Sequence, residues 1–202
     1  MVRVRQSHST DYNNGETLEW LCSLGLTEKK ISSVMLGAEW LKQHQLVEPE
    51  PAVRNGWEMV EILAELRMDS DSLLAALLFP LLEAGLVSID QLEPAFPANV
   101  LLMLRAVQQM EAIRTIPTGP NQSVNPQQAD NLRRMLLAMV EDVRAVVIKL
   151  AAQICYLREV KNADEETRVL AAKETNAIFA PLANRLGIGQ LKWELEDLAF
   201  RY

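Results

Sequence analysis

The stretch Leu73–Leu82, LLAALLFPLL, is the longest apolar run in the chain, and it leaves few folds open. It is too short to cross a bilayer, which takes about 20 apolar residues. A helix that is apolar on every side has to be enclosed by other elements. The run therefore reads as the central helix of a multi-helix core. Pro80 lies inside it. Proline has no N–H to donate, and its ring crowds the carbonyl four residues back, which costs about 3 kcal/mol in a helix interior. The sequence thus predicts a kink or break over residues 76–80, with the lone charge of Glu83 just beyond.

The segments on either side are helical by pattern. Glu16–Leu24 and Lys29–Gln43 flank Gly25, and VEPEPAVRNG, 47–56, reads as a breaker. Trp57–Arg67 follows, with Met59, Val60, Leu63 and Leu66 at helical spacing. Asp69, Ser70 or Asp71 can cap the apolar run, and the Gly85 region ends it. A short helix or turn at Ser88–Leu92 leads to a helix over Pro97–Ile116, then to a loop, PTGPNQSVNPQ, at 117–127. Leu132, Met135, Leu136, Met139, Val140, Val143, Val147, Leu150 and Ile154 step by three and four. They form one stripe on a helix of about 30 residues, or on two helices that part near Asp142–Val143. Asp164–Leu186, closed by Gly187, and the segment from Gly189 to Tyr202 complete the set; the last has no stop signal, as in a longer chain cut short. No strand is convincing. The fold class is all-α, with residues 1–15 expected to be a disordered tail and 16–202 one domain.

Composition narrows the partners. With 202 residues, 49% of them hydrophobic, the chain can bury a core without staples. The formal net charge of −7 makes it a poor partner for nucleic acid or anionic lipid. Arg133-Arg134 reads as a solvated helix face. Cys22 and Cys155 stand far apart with no metal-like spacing, as free and buried thiols of a reducing compartment would. The N-terminus lacks the apolar stretch of a signal peptide, so a cytoplasmic location and no membrane contact are expected. A homodimer is left open.

Catalytic material is sparse. His8 and His44 have no companion at ligand spacing, GIG at 187–189 is a helix stop rather than a phosphate loop, and neither cysteine has a histidine near it in sequence. On residue types alone the chain is an all-α binding or scaffold module.

Three segments add to this. They are NLRRMLLAMVEDVRAVVIKLA at 131–151, VLAAKETNAIFAPLANRLGIGQLKWELEDLAFRY at 169–202 and EMVEILAELRMDSDSLLAALL at 58–78. Together they resemble the RelA/SpoT family, the long synthetases and hydrolases of guanosine tetra- and pentaphosphate. The similarity is to the family's N-terminal, all-helical hydrolase domain of the HD superfamily. It implies a manganese site held by a histidine, an adjacent His-Asp pair and a later aspartate. The first histidine falls at or beside Asn55. The His-Asp pair of ALLHDVVEDT falls on Phe79 and Pro80, and the aspartate of KLADRLHNMR on Ala152. The Glu-Asp pair thought to handle the attacking water falls on Glu83 and Ala84. The remaining pocket positions read Gln153, Ile154, Cys155 and Tyr156, with Arg158 at the family's arginine.

Phe, Pro and Ala offer no donor, and a neutral Asn amide is a weak ligand. The basic loop of the family is replaced by LVEPEPAV, 46–53, of the wrong sign for a polyphosphate. The resemblance therefore implies a hydrolytically inactive domain with no cofactor and no catalytic residue. Glu83 is a relic, and Arg158 pairs with a carboxylate such as Glu159 or Asp142. In the full-length protein, pyrophosphate would pass from ATP to the 3′ hydroxyl of GTP or GDP during the stringent response. The partner of this domain would be its own synthetase domain, with ribosome and uncharged tRNA met through other domains. Two alternatives stand beside this: a guanine-nucleotide sensor, and an active manganese hydrolase using Asp69, Asp71, Glu83, Glu141 and Asp142.

Overall fold

The computed structural model describes residues 14–46, 51–111, 127, 130, 131, 134 and 142–202. Among these residues all regular structure is helical, as the sequence predicts. The chain divides into two compact units, Met1–Arg105 and Ala106–Tyr202. Most of the tail expected at 1–15, the loop at 117–126 and the stripe residues Leu132, Met135, Leu136, Met139 and Val140 lie outside the described residues.

The first unit holds α1 (Asn14–Ser23), α2 (Glu28–Gln43), α3 (Pro51–Glu65), α4 (Ser70–Glu83), α5 (Ile89–Leu92) and the start of α6 (Ala98–Glu111). The centre is α4, the apolar run of the sequence. Every residue from Ser72 to Leu82 is buried. Asp69 caps it by accepting the Ser72 N–H at 2.8 Å, and Gly85, at φ +71°, closes it. The predicted break at 76–80 does not occur, and α4 runs unbroken through Pro80. Burial of the whole run against α2 and α3 outweighs the one backbone hydrogen bond that Pro80 withholds from the Ala76 carbonyl.

Two glycines set how closely those neighbours approach. A Cβ on Gly37 of α2 would lie 2.7 Å from Leu74 Cδ1 and 2.8 Å from Leu77 Cδ2. A Cβ on Gly56 of α3 would lie 2.5 Å from the Leu77 backbone carbonyl oxygen. The second glycine also corrects the sequence reading. Asn55 and Gly56 are not in a breaker before a helix at Trp57; they sit in the second turn of α3, which begins at Pro51. Proline suits a first helical position because its missing N–H would have no intrahelical acceptor there.

In the second unit α7 (Val143–Glu159) is an enclosed helix, with every residue from Ala145 to Ala151 buried. The single long helix is not formed, because Asp142 starts a new one. Its carboxylate accepts the Arg144 N–H and Nε, each at 2.9 Å, from an extended backbone at φ −117°. An aspartate with that acceptor geometry favours a cap over a helix interior. A short 3-10 turn, Val160–Asn162, leads to α8 (Glu165–Glu174), capped by Asp164. The helix expected to run to Leu186 then loosens into a π-turn, Thr175–Phe179, before α9 (Ala180–Arg185). The Ala180 N–H reaches back five residues to the Thr175 carbonyl. Pro181 follows at once and has no N–H to continue an ordinary ladder. Gly187, at φ +73°, ends α9, and α10 (Gly189–Phe200) packs on α7.

Candidate functional site

The positions singled out by the family resemblance fall on three helices. On α3, Asn55 is half-buried, one residue before the glycine that touches the Leu77 backbone. On α4, Phe79 is fully buried and Pro80 is buried. Neither offers an electron-pair donor on its side chain. Glu83 and Ala84, at the end of the same helix, are exposed. Glu83 thus lies at the surface.

The others lie on α7 in the second unit. Ala152 and Tyr156, one turn apart, are half-buried, while Gln153 and Cys155 are buried. Gln153 has a structural role: its Nε2 donates to the Thr175 hydroxyl at 3.0 Å, and that hydroxyl donates to the Ala171 carbonyl at 2.7 Å. It ties α7 to the π-turn. Arg158 pairs with a carboxylate, as expected, and Glu194, which the sequence reading did not name, is such a partner. Its Nη2 lies 2.8 Å from Glu194 Oε1 on α10, with the two side chains only 15% and 10% exposed. The two residues are 36 apart in sequence, and nothing local to α7 signals the pairing.

The donor set does not fit a divalent ion. Among the described residues no group of three or more His, Cys, Asp and Glu is placed to hold a metal. Two of the carboxylates offered as substitutes serve as helix caps. Asp69 caps α4, Asp142 caps α7 and binds Arg144, and Glu83 is exposed, while Glu141 lies outside the described residues. His44 ends α2, with Nδ1 2.8 Å from the Trp40 carbonyl and its ring stacked on that indole at 3.9 Å. Cys155 is buried, whereas Cys22 is exposed, contrary to the expectation of two buried thiols. It lies near the C-terminal end of a short helix whose outer face meets solvent. Arg134 is exposed and pairs with Asp130 at 2.9 Å, as a solvated face would. No helix among the described residues is long and apolar enough to cross a membrane.

Among the described residues the regular structure is all helical, and the HD domain family profile matches residues 34–189. The chain belongs to the HD domain family. Within it the similarity is to the RelA/SpoT proteins. The GTP pyrophosphokinase of Escherichia coli (strain K12) is 50% identical over 206 residues, covering 100% of this chain and 28% of that protein. The GTP pyrophosphokinase of Photobacterium angustum is 46% identical over 205 residues, covering 100% and 27%. A probable guanosine-3′,5′-bis(diphosphate) 3′-pyrophosphohydrolase of Synechocystis is 36% identical over 153 residues, covering 76% and 19%. The chain thus spans little more than a quarter of the length of the GTP pyrophosphokinases it matches end to end.

Proposed function

We propose that this chain is a catalytically inactive (p)ppGpp-hydrolase-like domain belonging to a GTP pyrophosphokinase, acting on its synthetase portion as a regulatory and structural module. The observation that carries the reading is the chemistry at positions 79, 80 and 152. Phe, Pro and Ala cannot ligate a cation, and Phe79 is sealed at 0% exposure within α4's packing. A phosphoester hydrolase of this type uses its metal to generate the attacking hydroxide and to polarise phosphate. Without ligands for that metal, the Glu83 carboxylate does not by itself make a phosphoester hydrolase.

In this reading the full-length protein moves pyrophosphate from ATP to the 3′ hydroxyl of GTP or GDP, in the cytoplasm and in contact with ribosomes through its other parts. This domain contacts no nucleic acid or membrane itself. Its influence on synthesis is a bias between arrangements of the domains, which requires different contacts in each. Two measurements test the proposal. Purified chain with manganese and guanosine tetraphosphate is expected to release no pyrophosphate; turnover would end the inactive reading. Synthesis by the full-length protein is expected to change when residues 1–202 are deleted, and an unchanged rate would leave the domain no regulatory role.

A further inference from the structure

We draw no further inference here: the strongest candidate, the N-terminus of α10, which Ile188 leaves without a side-chain cap and where among the described residues nothing lies within 4 Å of the Gly189 Cβ position, is a helix N-terminus with no second observation that points to a ligand.

Discussion

Gly56 shows how much one residue can fix. Its missing side chain lets α3 approach the backbone of α4, and a methyl group there would meet the Leu77 carbonyl oxygen at 2.5 Å. A carbonyl within a buried helix cannot swing aside as a side-chain end can. Gly56→Ala is therefore expected to destabilise the first unit by about 3 kcal/mol, the upper range for overpacking. That lowers the thermal midpoint by about 10 °C in a chain of this size. Gly189→Ala is the control: nothing lies within 4 Å of its Cβ position. It should leave the midpoint within about 3 °C, which differential scanning calorimetry resolves. Arg67 gives the opposite sign. It ends α3 at φ +57°, where a Cβ crowds the backbone. Its carbonyl, not its guanidinium, takes the Lys30 ammonium at 3.4 Å. Arg67→Gly keeps that acceptor and is expected to raise stability by about 0.5–1 kcal/mol. An unchanged or lower denaturation midpoint would show that the left-handed cap is not strained.

At the scale of elements, α4 sets the clearest test. Replacing Pro80 by Ala restores a backbone N–H to the interior of an unbroken helix, a gain of about 3 kcal/mol on helix propensity. It also removes two buried methylenes, a loss of about 1.6 kcal/mol. Net stabilisation of about 1 kcal/mol is expected, measured by urea unfolding; destabilisation would mean that the ring's packing dominates. The first turn of α8 gives a pH test. Hydrogen bonds from the Thr167 N–H at 2.8 Å and its hydroxyl at 2.9 Å hold the Asp164 carboxyl below its ordinary pKa. The folded value is depressed, so the cap is fully present above the unfolded carboxylate pKa and is lost as pH falls through the folded one. Amide exchange at Thr167 should quicken on acidification in the native chain. In Asp164→Ala it should be fast, relative to native, at neutral pH already.

How much was legible in the sequence follows from the range of each signal. Helices α2, α4, α5 and α10, the Asp69 cap and the Gly187 stop were readable because periodicity and caps are local. The start of α3 was misplaced because two prolines close together read as a breaker, although Pro51 suits a first helical position. The unbroken α4 was missed because the strength of tertiary burial around Pro80 is not written in the residues next to it. For the candidate site, the absence of ligating side chains at 79, 80 and 152 was visible in the residue types once the family order placed those positions. The partners Glu194 and Thr175 were not, since each lies more than twenty residues away along the chain.

At the scale of the whole molecule, the question is whether a metal still contributes to the folded state. Any ion that binds the native chain and not the unfolded one stabilises it by mass action, by about 2.7 kcal/mol at a hundredfold excess over its dissociation constant. A hydrolase domain with a working site would show this in manganese as a clear rise in thermal midpoint. Here Phe79, Pro80 and Ala152 have no side-chain donor. The midpoint is expected to be the same in manganese as in chelator. Restoring two ligands by Phe79→His with Pro80→Asp should not create the shift. It places an imidazole and a carboxylate in a fully buried helix without partners, at a cost of about 3–5 kcal/mol from lost packing and buried polar groups. The double variant should therefore unfold earlier with or without manganese. A midpoint that recovers when manganese is added would show that the remaining residues still supply ligands, and the inactive reading would have to be withdrawn.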